Sequence, residues 1–331
     1  MKALVYTANN EVSYRDEPDP ERGTGDALVR IDAVGICGSD MHAYHGHDPR
    51  RVPPLILGHE ACGVVEIGTL EGQRVVLNPL MTCGVCDDCC GGRSNLCRHR
   101  ELIGMNRPGA FAERIAIPER NLIPVPDNMD PVHAALTEPG ATALHAIAMA
   151  ERVLHRPIAE ARSLVIGGGS VGLLAALFLK SHGCRDILLG DTNALRRATA
   201  EATGACGVYD PIEGPQPDEN GYDLVIDAVG GERTRPAAVT AAKPGGVIAH
   251  IGLMDSAGGL DVRKLTLSEI TFFGTYTYTT VDLRATVKAL SSGALGSLDW
   301  VEQRPLADGA AAFSDLDHGQ SAAAKVVLMN T

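Results

Sequence analysis

The sequence predicts an α/β chain: a doubly wound parallel sheet preceded by a smaller, irregular β-rich domain. Three observations carry this. From about His133 to Thr280, apolar strand segments alternate with helical ones, the pattern of a parallel sheet covered by helices. From Met1 to about Val125 the chain breaks into short β runs bounded by Gly and Pro. At 163–180 a short apolar strand runs through a glycine-rich turn into an apolar helix.

In chain order, the runs 27–31, 63–67, 74–77 and 113–117 read as strands of the first part. The middle part offers strands at 163–166, 186–189, 224–227 and 247–251, with a helix over 173–180. From 281 onward come a helical segment over 283–290 and a closing strand near 324–328. There are no internal repeats and no long low-complexity tract.

With 331 residues, 45% of them hydrophobic, the chain can bury one or two substantial cores, and two domains are expected. A net charge of −12 and the lack of a basic stripe disfavour binding to nucleic acid or to an anionic membrane. No stretch has the length and purity of a transmembrane helix, and the apolar start at Met1 meets Asn9, Asn10 and Glu11 too soon for a signal peptide. A cytoplasmic protein is expected. The 9 cysteines are odd in number and tightly spaced, which favours reduced thiols and metal over disulfides.

Cys83, Cys86 and Cys89 follow at Cys-x-x-Cys steps, and Cys97 comes after seven intervening residues. Short reverse turns bring such thiols to one point, and four thiolates close a tetrahedral zinc site. With no open coordination position, this zinc is structural.

The turn at 167–172 reads Gly167-Gly-Gly169-Ser170-Val171-Gly172, the Gly-x-Gly-x-x-Gly pattern in its strand-turn-helix setting. Gly167 permits the tight turn, Gly169 lets backbone approach a pyrophosphate, and Gly172 lets the helix pack closely. Ser170 and Val171 open a helix whose terminal amides favour an anion. A second strand ends at Asp191, 191 − 172 = 19 residues past the last glycine, close to the roughly 20 expected of a ribose-binding acid. A carboxylate there accepts from a 2′-hydroxyl and repels a 2′-phosphate, so NAD is expected over NADP, with Arg196 as the counterweight. Val229, Ile251 and Gly252 close the next strands and flank the nicotinamide side of the crevice.

A second, open metal set is offered by Cys37, His59 and Glu60, with Glu138 at the domain boundary. Three protein ligands and a water make a catalytic zinc. Singly, each residue has a plainer reading: a core thiol, a hydrogen-bonded histidine, a helix N-terminal carboxylate. Residues 45–51, with His45, His47, Asp48, Arg50 and Arg51, read as a solvated pocket rim.

The order of segments is more telling than any one of them. Gly-x-Cys-Gly-Ser-Asp-x-His at 35–42, Gly-His-Glu at 58–60, the four cysteines and the glycine turn with its acid together resemble the zinc-containing medium-chain alcohol and polyol dehydrogenases, of the sorbitol and threonine dehydrogenase kind. The resemblance covers almost the whole chain, through Pro108–Glu113, Gly274–Tyr278 and Lys325–Leu328.

It implies a GroES-like catalytic domain from residues 1–132 and 281–331, with a zinc lobe at about 80–100, and a Rossmann domain over 133–280. It implies Cys37 and His59 as catalytic zinc ligands, Glu60 or Glu138 as the third, and Asp40 as the acceptor that orients His59. Two zinc ions per chain and NAD are then the cofactors, and the assembly is a homodimer or homotetramer. The resemblance further implies that zinc lowers the pKa of a substrate hydroxyl, that hydride passes to nicotinamide, and that Ser39 and His42 carry the proton away.

Two features depart from the family pattern. The 67–74 loop is short, with Gln73 where an aspartate is usual, and Thr277 stands where sorbitol-type members carry an arginine, so sorbitol itself is not implied. Aromatic residues are only 4%, which disfavours a large apolar pocket for aromatic alcohols. The expectation is a dehydrogenase oxidising a secondary hydroxyl of a polyol, sugar or small alcohol. A threonine 3-dehydrogenase type of enzyme and a catalytically silent zinc and dinucleotide-binding regulator are the alternatives.

Overall fold

The computed structural model describes residues 1–330. Its middle holds a six-stranded sheet in the order Gly207–Tyr209, Asp186–Gly190, Arg162–Ile166, Tyr222–Asp227, Ala242–His250, Thr271–Gly274, with every neighbouring pair parallel. Chain order thus reverses between Arg162–Ile166 and Tyr222–Asp227, and the crevice at such a switch point is where a dinucleotide fits. The two outer strands, Gly207–Tyr209 and Thr271–Gly274, escaped the sequence reading because they are short and only partly apolar.

The helix Ser170–Ser181 packs almost entirely inside this part, with Leu173 to Leu179 buried. That closeness depends on Gly172, where a Cβ would lie 1.9 Å from the Gly167 carbonyl oxygen. Gly167 itself turns at φ 103°, a region that L side chains rarely occupy.

The β-rich part contains a seven-stranded sheet built around Asp26–Gly35, which pairs antiparallel with Glu60–Ile67 and with Arg114–Pro118. The closing strand Lys325–Met329 joins the same sheet, with Val327 opposite Gly35. A three-stranded sheet of Glu11–Asp16, Lys2–Ala8 and Leu55–Ile56 packs beside it in one core. The short 67–74 loop is a tight hairpin closed by Gly72 donating to the Val65 carbonyl.

The segment after 280 packs by its apolar face. Thr280–Ser291 is a helix capped by Thr279, and Leu283, Val287, Leu290, Leu298 and Trp300 belong to the core of the parallel-sheet part. The apolar face of that helix lies against Thr137–Glu151, and the strands Val301–Pro305 and Lys325–Met329 return to the sheet of the first part. No helix among the described residues is long and apolar enough to cross a membrane.

Candidate active site and metal centres

Cys37 ends the segment after strand Asp26–Gly35 and caps the short helix Gly38–Tyr44. Asp40, fully buried in that helix, accepts from the Cys37 amide at 3.0 Å and from the Gly58 amide at 3.3 Å. This ties the 37–42 turn to the segment carrying His59 and Glu60. His59 Nδ1 lies 3.5 Å from Asp40 Oδ1, and Ser39 Oγ stands 3.5 Å from His59 Nε2. Burial alone would lower the His59 value, but Asp40 and the Cys37 sulfur outweigh it and hold the ring well above the usual range.

Glu60 begins strand Glu60–Ile67 directly opposite Gly35, and a Cβ at Gly35 would come within 2.1 Å of Glu60 Oε2. The missing side chain at Gly35 is therefore the space that the carboxylate occupies. Lys325 supplies its counter-charge, donating to Glu60 Oε1 at 2.8 Å and Oε2 at 2.6 Å and to the Ile36 carbonyl at 2.8 Å. Both partners are almost completely buried. Burial pulls the Lys325 value down, yet Glu60 and Cys37 leave it above the ordinary lysine range. Sequence reasoning used Lys325 only as part of a closing strand; the available signal was a single cation beginning the otherwise apolar Lys-Val-Val-Leu-Met.

The ligand atoms of Cys37, His59 and Glu60 all lie within 4.8 Å of one another. A thiolate, an imidazole and a carboxylate at that spacing suit a zinc ion with bonds near 2.0–2.3 Å and room for one more donor. His59 Nδ1 faces Asp40 at 3.5 Å, which leaves Nε2 as the ring atom for a ligand. Glu138 stands outside this compact group, in the first turn of helix Thr137–Glu151, and accepts from the Tyr278 hydroxyl at 2.7 Å. Burial, with Glu60 nearby, pushes its carboxyl up to about 7.

Cys83, Cys86, Cys89 and Cys97 form the other group of converging ligands. The Cys83 and Cys97 sulfurs are 3.5 Å apart and those of Cys83 and Cys89 3.9 Å. A tetrahedron with zinc–sulfur bonds of about 2.3 Å has edges of about 3.8 Å, so these residues fit the ion. Cys90 is exposed and outside the group. The lobe also reaches the first centre: Asn95, buried beside Cys97, donates to the Tyr276 carbonyl at 2.8 Å, and the Arg100 guanidinium lies 4.7 Å over the Tyr276 ring. Two residues on is Tyr278, the partner of Glu138.

At the switch point, Asp191 folds back over the glycine turn, accepting from the Gly168 amide at 2.7 Å and from the Asn193 amide at 2.7 Å. Arg196 is half-buried with Nε unpartnered among the described residues, whereas Arg197 is committed to the Asp191 carbonyl and Asp210. The fully buried Asp227 orders the facing loop by accepting from the amides of Val229 and Gly230, and its carbonyl receives the amides of Ile251 and Gly252. Gly167, Gly169, Ser170, Val171, Gly172, Val229, Ile251 and Gly252 thus all lie at the carboxyl ends of neighbouring parallel strands.

A cleft of about 750 Å³ opens between the two parts, with His42 and His47 on one wall and Arg235, His250, Met254 and Phe272 on the other. Burial, then His47 and His45, lower the His42 value. The expected solvated rim is only partly so. His45 pairs with Asp317 at 2.6 Å, while Asp48 and Arg51 are buried because the Arg51 guanidinium finds a carboxylate and a carbonyl inside.

The Glu60–Lys325 pair makes a direct stability test. Lys325→Met strands a buried carboxylate and should lower unfolding free energy of the metal-free protein by roughly 3–5 kcal/mol in urea denaturation, with Glu60→Gln added to Lys325→Met restoring most of the loss. An unchanged midpoint in the single variant would contradict the pairing.

Two family models match the chain, the alcohol dehydrogenase GroES-like domain over residues 23–127 and the zinc-binding dehydrogenase over residues 170–292. L-galactonate-5-dehydrogenase of Escherichia coli is 30% identical over 306 residues, covering 88% of each chain. L-threonine 3-dehydrogenase of Mesorhizobium japonicum is 31% identical over 293 residues, covering 83% of each. Among solved structures, a Sinorhizobium meliloti protein bound to NADP is 30% identical, with a TM-score of 0.87 over 99% of this chain and 98% of that one. The regulator alternative gives way to an enzyme. The chain belongs to the zinc-dependent medium-chain alcohol and polyol dehydrogenases, which use zinc and a nicotinamide dinucleotide to take hydride from a secondary hydroxyl.

Proposed function

We propose that the chain oxidises a secondary hydroxyl of a polyol, sugar or related small alcohol with NAD, at a zinc held by Cys37, His59 and a carboxylate. The observation that carries this is the convergence of Cys37, His59 and Glu60 beside Ser39, on the segment whose His42 and His47 line the cleft against the dinucleotide part. Zinc bound there supplies a Lewis acid that lowers the pKa of a hydroxyl, and nicotinamide supplies the hydride acceptor.

The protein's own groups do the rest. Glu60, held by Lys325, and Glu138, held by Tyr278, are alternative third donors. Asp40 fixes the orientation of the His59 ring. Ser39 takes the proton from the substrate hydroxyl and His42 passes it to solvent from the cleft wall. Asp191 receives the adenosine ribose, and its carboxylate favours a 2′-hydroxyl over a 2′-phosphate, which is why we read the cofactor as NAD although a relative carries NADP. Cys83, Cys86, Cys89 and Cys97 hold the second, structural zinc.

By packing, residues 1–132 and those beyond about 300 form the catalytic part, and 133–300 the dinucleotide part. The free edge at Thr271–Gly274, with Leu267 and Val281 exposed nearby, supports a homo-oligomer formed through the parallel sheet. Reduced, metal-directed cysteines fit work in the cytoplasm.

Absorbance of NADH formation over a panel of polyols, sugars, aldonates and L-threonine, each with NAD and NADP, tests the reading. Turnover of a polyol or sugar hydroxyl, faster with NAD, is expected. Turnover of L-threonine alone would favour the hydroxy amino acid type, as the 31% identical relatives of that name allow, and preference for NADP would refute the role given to Asp191.

The pH profile tests His42. It must be neutral to accept a proton, and its lowered value keeps it neutral to a more acid pH than an ordinary histidine. The acid limb of kcat should therefore fall below the usual histidine range, and His42→Gln should remove that limb. A limb that survives in the variant assigns the step to another group.

A further inference from the structure

Arg51 has the least exposed guanidinium near the catalytic turn, with its side chain 1% exposed, and it enters no step described so far. Its three donor groups go to three different places: Nε to the Gly104 carbonyl at 2.9 Å, one terminal nitrogen to Asp48 at 2.6 Å, and the other to Ser39 Oγ at 3.3 Å. Asp48 is itself buried and also receives the Arg50 guanidinium, so the position of Arg51 is set from behind by a carboxylate it shares. A planar fork held at two points leaves the third donor little freedom.

We propose that Arg51 is a positioning residue for the proton path, donating to the Ser39 hydroxyl so that its remaining lone pair is held for the substrate proton and its own proton leaves along the relay that ends at His42. This rests on the reading of Ser39 given above. A hydroxyl has one proton and two acceptor lone pairs. Arg51 occupies one lone pair. With His59 Nε2, 3.5 Å away, committed as a metal ligand, the other lone pair is left for the incoming substrate proton, and the Ser39 proton must leave in the remaining direction. A charged donor on the oxygen also polarises its O–H bond and makes it a better donor. Without Arg51 the hydroxyl turns freely, and the ordered geometry for transfer is found only part of the time. No net charge moves onto Ser39, because it gains one proton as it gives one up.

The test is a double-mutant cycle on the zinc-loaded enzyme. Arg51→Lys keeps a cation for Asp48 but loses the fork that reaches Ser39, and Ser39→Ala removes the hydroxyl. Ser39→Ala should lower kcat about 100-fold. Arg51→Lys should lower kcat about tenfold in the parent and less than about twofold in the Ser39→Ala background, with KM little changed. Thermal midpoint, zinc per chain and NADH dissociation constant should stay near the parent values in Arg51→Lys. An equal tenfold loss in both backgrounds would overturn the proposal, since Arg51 would then only hold the loop, while the Ser39 reading would stand. A Ser39→Ala variant with parental kcat would overturn both. If Arg51→Lys does not fold, the paired replacement Arg51→Gln with Asp48→Asn removes the buried ions together and serves the same cycle.

Discussion

Lys325 donates to both oxygens of Glu60 from the last strand of the chain, and the rest of the site depends on that contact. A carboxylate buried in the interior is costly without a partner of opposite charge, and Lys325 is that partner for Glu60. Because the lysine comes from Lys325–Met329 and the carboxylate from Glu60–Ile67, on either side of Asp26–Gly35, the pair also closes the sheet across the chain's two ends. The C-terminal strand thus contributes a residue directly to the candidate metal centre. Gly35 and Asp40 serve the same centre more modestly, one by leaving room for Glu60 and the other by joining the amides of Cys37 and Gly58.

The two metal centres, separate in the sequence, are connected through the segment Tyr276–Tyr278. Asn95 and Arg100 in the four-cysteine lobe hold Tyr276, Thr277 takes up a left-handed φ of 49°, and Tyr278 delivers its hydroxyl to Glu138. A lobe that reads as a purely local clamp therefore also shapes one wall of the catalytic centre. The left-handed backbone at Thr277 is the turn that carries Tyr278 from the lobe to Glu138.

Much of this was legible in the sequence because metal sites and phosphate turns impose spacing. The four cysteines, Gly167 to Gly172 and the acid at 191 must sit at fixed intervals, since the chain between them is a single turn or one strand-helix step. Cys37, His59 and Glu60 could be named from their motifs, and the fold brings them together. What could not be read is what long-range pairing supplies. Lys325 is 265 residues from Glu60, and Arg51, which reads as a surface cation among Asp48, Pro49 and Arg50, is buried only because Asp48 and the Gly104 carbonyl wait for it. The packing of the segment after 281 was hidden for a related reason. The 283–300 segment is amphipathic like many helices, and nothing local tells which core its apolar face will join.

Anomalous diffraction at the zinc edge from crystals of the intact protein tests the central claim most directly. The account predicts two peaks per chain, one enclosed by Cys83, Cys86, Cys89 and Cys97, the other bonded to Cys37 and His59 with Glu60 or Glu138 completing the protein ligands. A single peak at the four cysteines, with Cys37 and His59 free of metal in fully active enzyme, would contradict it.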